Sequence, residues 1–243
     1  DVSHPESHSG GKKDESASVA AVVASMDGML GQYCAHITAC VTKEEPVSSL
    51  FESFHILLKT FCARNNGQFP RKIIVYRDGV SDSQFSGTLN SELTALQHAI
   101  AEFNYTLDDV KIAFIVCQKR HHTRFVYQAG PGEEEALATT AAGSVVDGGD
   151  PLGCVVGSEL MEFYLNSHAA VLGTSKPTRY VLLHDRIGLK LSELELLTFW
   201  LTHLYARCTK SVSIAAPAYY AHWAARRGRV LLSGGLSASQ LGA

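Results

Sequence analysis

A run of β-branched and aromatic residues, Lys72-Ile73-Ile74-Val75-Tyr76-Arg77-Asp78, is cut off by Gly79 and followed at once by a helix-start pattern, Ser81-x-x-Gln84. Such a run reads as a buried strand, and the Asp-Gly step ends it where the chain must turn. Leu89, Leu93, Leu96 and Ile100 then recur at helical spacing, and Val110-Lys111-Ile112-Ala113-Phe114-Ile115-Val116 supplies a second buried strand. Strand, turn, helix, strand is the order of an α/β protein. It puts Asp78 at the carboxyl end of a strand, the edge where open α/β sheets gather ligands and catalytic groups, because loops there can vary without disturbing the core. Taken alone, Asp78 suits a turn and a ligand role equally well.

The segments around this unit fit the same class. Val19 to Ala24 and Cys34 to Val41 read as an antiparallel strand pair, and Val47, Leu50, Phe54, Leu57 and Phe61 as a helix opened by Pro46. Further strands are expected at Glu162 to Leu165 and Arg179 to Leu183. A helix is expected from the capping pattern Ser192-x-x-Glu195, with Leu194, Leu197, Leu201 and Leu204 facing inward. Pro217 marks the start of a last helix carrying Tyr219, Tyr220, His222 and Arg227. Gln128 to Gly157, rich in Gly, Glu, Ala and Thr, reads as a surface excursion, and residues 233–243 as a frayed tail.

At 243 residues and 46% hydrophobic content, one substantial core accounts for the chain as a single domain. No run of about 18 apolar residues spans a bilayer, and the first residues lack the basic and apolar regions of a signal peptide. The expectation is a soluble, intracellular chain without membrane attachment. Six cysteines with no C-x-x-C pair read as reduced, buried thiols. A net charge of -3 opposes a uniformly basic nucleic-acid binder, yet Gln118-Lys119-Arg120-His121-His122-Thr123-Arg124 and Arg226-Arg227-Gly228-Arg229 are local basic runs, offset by Glu133-Glu134-Glu135.

Five blocks decide among these readings: Asp1-Val2-Ser3-His4-Pro5, Tyr76-Arg77-Asp78-Gly79-Val80-Ser81, Gln118 to Arg124, Gly173-Thr174-Ser175-Lys176-Pro177, and Cys208 through His222. In this order, over nearly the whole chain, they closely resemble the Piwi domain of eukaryotic Argonaute proteins. The resemblance implies an RNase H-like fold, a central mixed β-sheet flanked by helices, and cleavage of RNA paired to a small guide RNA. Carried over by motif, Asp1, Asp78 and His222 are members of the catalytic tetrad; the glutamate that completes it falls on Glu45, counted from the Tyr33-Cys34-Ala35 block, with Glu44 in its place if the loop slips by one residue. Asp1, Asp78 and His222 would bind two magnesium ions, or manganese in their stead, and the products would carry a 5′-phosphate and a 3′-hydroxyl.

The same resemblance assigns Arg227 to the pocket for the guide's 5′-phosphate. It assigns Lys119, Arg120, His122, Arg124, His168, Lys176, Tyr205, Arg207, Ser213 and Tyr219 to the guide backbone. Contacts of this kind give affinity and register, while base pairing to the complementary target RNA reads sequence. For the tyrosines and Ser213, packing is the competing role.

Lys176 stands where the family often has arginine, which turns a bidentate phosphate contact into a point-charge one. The chain is expected to be an excised part of a longer Argonaute, without the guide-end-binding domains. A strand that starts at its own carboxyl end is expected not to pair, leaving Asp1 poorly anchored and the fragment a weak nuclease. In the intact protein a monomer acting in the cytoplasm, and also in the nucleus, is implied, with silencing proteins as further partners. A guide-loaded binder that recruits partners without cutting is the alternative, because a tetrad is necessary but not sufficient.

Overall fold

The computed structural model describes residues 2–3, 18–40, 46–128, 137–147, 160–170 and 173–234. The described residues fall into two compact units, one within Asp1–Ile73, Asp82–Ile112 and Pro217–Ala243, the other within Ile74–Ser81 and Ala113–Ala216.

In the first unit, β1 (Val2–Ser3), β2 (Ser18–Ser25) and β3 (Tyr33–Cys40) form an antiparallel sheet in that order. The expected pair is present, with register running from Ser18 opposite Cys40 to Ser25 opposite Tyr33. Val2 and Ser3 also pair, opposite Ala20 and Val19. This corrects the expectation of an unpaired start: two residues of extended backbone suffice to occupy the edge of β2.

Alternate side chains leave opposite faces of the sheet. On one face, buried His36 meets Ser53 of α1 (Pro46–Arg64) at 3.0 Å. The Ser53 hydroxyl donates to the Ser49 carbonyl at 2.8 Å, so the His36 Nδ1–H is the donor. Burial lowers the His36 pKa against the opposing pull of Glu52, which favours that neutral ring. α2 (Phe85–Ala101) packs on α1.

On the other face, Val19 and Ile37 meet α4 (Ala216–Ser233). A Cβ on Gly228 would stand 2.6 Å from Ile37 Cγ2 and 2.8 Å from Val19 Cγ1. Bare backbone is what lets the helix sit this close. Ala218, Ala221 and Ala225 are buried along the same helix, and Tyr220 packs on Tyr33 with ring centroids 4.8 Å apart. Burial, then the neighbouring Tyr220 and Asp27, pushes the Tyr33 phenol up to about 12.

The second unit is built on a five-stranded sheet in the order β4 (Lys72–Asp78), β5 (Lys111–Gln118), β10 (Thr178–Asp185), β9 (Met161–Asn166), β8 (Ser144–Asp147). β5 is buried from Ile112 through Cys117. β4, expected to be buried, is half-buried, because among the described residues it has a sheet neighbour on one side only. Phe163 stacks on Tyr180 at 5.1 Å, Tyr76 meets Tyr180 edge-on at 6.3 Å, and the Tyr76 hydroxyl bonds Thr198 of α3 (Leu191–His203) at 2.9 Å.

Three local expectations need correction. The Ser81-x-x-Gln84 pattern does not open α2 directly: a 3-10 turn over Asp82–Gln84 comes first, and α2 begins at Phe85 after N-cap Gln84, which makes no side-chain cap bond. α3 begins at Leu191, closed by the Lys190 N–H donating to the Glu193 carboxylate at 3.1 Å, not by a Ser192 and Glu195 pair. The stretch read as an excursion contains β7 (Leu137–Thr139), paired with β6 (Val126–Gln128), and β8 of the main sheet. Its strands are too short and too rich in Ala, Ser and Thr to show an apolar period.

Leu194 and Leu201 are buried as expected, but Leu204 lies past the helix end and is 40% exposed. Ser233 is the last residue of α4, and the tail from residue 235 lies outside the described residues. Cys34, Cys62, Cys117 and Cys208 are free thiols, of which Cys117 is buried and Cys208 exposed. Among the described residues no helix is long and apolar enough to cross a membrane.

Two stability measurements follow from this packing. Gly228→Ala drives a methyl into two β-branched side chains and should cost about 1–3 kcal/mol by urea unfolding; an unchanged midpoint would contradict the close seating. Glu195, raised to about 7 from 4.5 by burial and by the Asp147 carboxyl bonded to it, binds its proton more tightly folded than unfolded. Its contribution is therefore complete below the unfolded value and lost as pH rises through the folded one. Unfolding free energy should fall across that window, and Glu195→Gln should flatten the fall; an identical slope in the variant would refute the pairing.

Candidate functional site

The strand β4 delivers Asp78, half-buried, to its carboxyl end. Gly79 follows at φ 81°, a left-handed conformation that a side chain would strain. Val80, 5% exposed, anchors the turn, and its carbonyl accepts from Gln118 Nε2 at 2.9 Å. Gln118 is the last residue of β5. The carboxyl ends of β4 and β5 therefore lie together, and Asp78 and Lys119 leave the sheet at the same edge. The Arg77 guanidinium donates to the Asp78 carbonyl at 2.5 Å.

Below Asp78 lies a neutral floor. Burial, then the Asp78 charge, raises the Cys117 thiol well above its ordinary value, against the opposing pull of Arg77. The phenols of Tyr76 and Tyr180 are also raised, chiefly by burial. A carboxylate at the rim of such a floor is a hard oxygen donor, the kind that magnesium takes.

The loop after β5 is pinned by His121, which with Arg124 is one of its two half-buried basic residues. His121 is half-buried, edge-on to Tyr164 at 5.4 Å, and its Nε2–H donates to the Pro177 carbonyl at 2.8 Å. Burial is the largest cause of its lowered pKa, so it serves as a neutral strut. Lys119, Arg120 and His122 remain exposed, and Lys176, next to Pro177, is exposed on the loop that His121 holds. His168 faces Lys119; burial first and that ammonium second lower its pKa, leaving it a neutral ring.

Three assigned contacts carry structural duties. Arg124 NH1 donates to the His121 carbonyl at 3.1 Å and the Thr123 carbonyl at 2.6 Å, so part of its guanidinium holds its own loop. Tyr205 is only 6% exposed, and most of its ring is packing surface. Ser213 is half-buried in a segment stitched down by Ser167 Oγ donating to Val212 O at 2.6 Å and Thr178 Oγ1 donating to Ser213 O at 2.5 Å. Arg207 is exposed in the turn beyond α3.

In the first unit, α4 exposes His222 and Arg227 and leaves Tyr219 half-buried. His222 meets Trp223 edge-on at 5.9 Å, and the Arg226 guanidinium lies 5.2 Å from the Trp223 ring centre. Asp1, Glu45 and its alternative Glu44 lie outside the described residues. Among the described residues no group of three or more His, Cys, Asp or Glu gathers to hold a metal. The second unit thus brings Asp78 to one sheet edge with Lys119 and its loop. Sequence reasoning missed Gln118, Glu162 and Arg179, polar residues on strands whose only signal is their presence in otherwise apolar runs.

Comparison with known proteins gives a consistent result. The Piwi domain family model matches residues 1–233. Protein argonaute 14 of Oryza sativa subsp. japonica is 37% identical over 258 residues, covering 94% of this chain and 24% of that protein. Protein argonaute 5 of Arabidopsis thaliana is 39% identical over 254 residues, covering 98% and 24%. The chain spans about a quarter of the length of these curated relatives. The crystal structure of Kluyveromyces polysporus Argonaute with a guide RNA matches with a TM-score of 0.79 at 26% identity, over 92% of this chain and 26% of that one. The mixed sheet flanked by helices is thus the RNase H-like architecture expected from the sequence, and the chain belongs to the Piwi domain family of Argonaute proteins.

Proposed function

We propose that the protein to which this chain belongs is a small-RNA-guided endoribonuclease, holding a guide along the basic edge of the second unit and cutting the RNA paired to it. The observation that carries this reading is the shared sheet edge: Asp78 leaves β4 where Lys119 leaves β5, tied by the Gln118–Val80 hydrogen bond. A carboxylate beside exposed cations suits a phosphodiester, because the cations hold the backbone while the carboxylate stays free to bind a metal.

Asp1, Asp78 and His222 would hold two magnesium ions, with manganese as the alternative, and Glu45 would complete the tetrad. Such ions supply charge neutralisation at the scissile phosphate and a nucleophilic water at neutral pH. The chain's own residues position. Gly79 and Val80 fix the direction in which Asp78 leaves the sheet. Lys119, Arg120, His122 and Lys176 offer exposed donors to backbone phosphates, and Arg227 offers one to the guide's 5′-phosphate. His121 keeps the loop in place without competing for the anion. Attack of water oxygen at phosphorus with departure of the 3′-oxygen leaves a 5′-phosphate and a 3′-hydroxyl.

The test is full-length, guide-loaded protein with a matched RNA and Mg²⁺. A product cut opposite the middle of the guide is expected, and Asp78→Ala should reduce cutting by several orders of magnitude with guide binding intact. Binding without any product from the unsubstituted protein would favour a silencing protein that recruits partners instead. Loss of guide binding in Asp78→Ala would mean that the residue is structural.

A further inference from the structure

The turn that follows Asp78 is held through a chain of polar side chains, of which Glu162 is buried and Arg179 and Gln118 are half-buried. Arg179 lies in β10, opposite Gln118 of β5 on one side and Tyr164 of β9 on the other. Its Nε donates to Glu162 Oε2 at 2.9 Å, its NH2 reaches the same oxygen, and its NH1 donates to Gln118 Oε1 at 2.9 Å. The side chains of Arg179 and Glu162 are 17% and 8% exposed. Gln118 Nε2 then donates to the Val80 carbonyl at 2.9 Å.

The donor and acceptor inventory fixes this chain in one sense. A guanidinium only donates and a carbonyl only accepts, so the Gln118 amide has one orientation, oxygen toward Arg179 and nitrogen toward Val80. A flipped amide would set donor against donor and acceptor against carbonyl. The planar fork of arginine serves Glu162 and Gln118 together; a lysine ammonium on a flexible stem lacks that geometry. A buried ion pair is a weak source of net stability, because desolvation offsets its attraction. What the pair does here is to aim an amide at the backbone two residues beyond Asp78.

We propose that Arg179 is a positioning residue for RNA cleavage, acting through Gln118 on the Gly79–Val80 turn to fix the direction of the Asp78 carboxylate, a role that rests on the reading of Asp78 as a metal ligand. Groups that orient a ligand from behind cost about 10–100-fold in metal affinity or activity when removed. Arg179→Lys keeps a charge for Glu162 but loses the fork that orients the amide. Gln118→Met keeps the buried volume and the ion pair but cannot bond Val80.

Both variants, and Asp78→Asn beside them, should be prepared in the full-length, guide-loaded protein. The measurements are single-turnover cleavage rate, the Mg²⁺ concentration for half-maximal rate, and guide and target affinity. For Gln118→Met, and for Arg179→Lys where it folds, a rate reduced about 10–100-fold is expected, with the Mg²⁺ requirement shifted upward and both RNA affinities unchanged. A folded Gln118→Met protein with unaltered rate and Mg²⁺ requirement would overturn the proposal, as would a loss confined to thermal stability or guide loading. If Asp78→Asn itself still cut, the reading of Asp78 would fail first and the positioning role with it. If Asp78→Asn were inactive and Gln118→Met unimpaired, the positioning role alone would fall.

Discussion

β5 sets what the second unit can do. Ile112 through Cys117 are all buried, so the strand carries no charge between Lys111 at its start and Gln118 at its end. A strand walled in by apolar neighbours on both faces has one place for chemistry, the point where it leaves the sheet. There Gln118 ties the end of β5 to the turn of β4, and one residue later the basic loop begins. The same strand supplies the neutral floor under Asp78, since Cys117 is held protonated chiefly by burial. Sheet core, carboxylate and cationic edge are consequences of one buried strand.

The charges explain how a mildly acidic chain can face an anion. A net charge of -3 is an average, and the second unit departs from it locally, with Lys119, Arg120, His122 and Lys176 exposed around a loop held by neutral His121. The histidines divide their work by burial. His121 and His168 are half-buried with lowered pKa, which suits them to support and neutral contact, whereas His222 stands exposed on α4. Arg124 is divided as well, its guanidinium partly engaged with its own loop carbonyls.

What the sequence made legible was whatever repeats with a period. The antiparallel pair β2 and β3, the strands β5 and β10 and the helix α4 opened by Pro217 all show in apolar spacing or turn residues. β8 did not, because a four-residue strand, Ser144-Val145-Val146-Asp147, is shorter than any window that reveals alternation. The expected capping patterns do not mark the helix starts for another reason: Ser81 and Ser192 match the pattern, but a 3-10 turn stands before α2, and Glu193 bonds the Lys190 N–H where α3 opens. For the site, local motif singled out Asp78 and the basic loop. Arg179, Glu162 and Gln118 were hidden, because three polar residues on three strands show no relation until the sheet sets them side by side. Asp1 and Glu45 lie outside the described residues; Asp1 is placed in the tetrad by its own motif block and Glu45 by its count from Tyr33-Cys34-Ala35.

The central claim is that Asp78 is a metal ligand held ready at a sheet edge, and it meets its most direct test in a crystal of the intact, guide-loaded protein soaked in Mn²⁺. The account predicts anomalous peaks for two ions about 4 Å apart, one of them bound directly to the Asp78 carboxylate, with Asp1, Glu45 and His222 converging on the pair. Ions bound only along the RNA phosphates, with Asp78 bonded to neighbouring backbone instead, would contradict it.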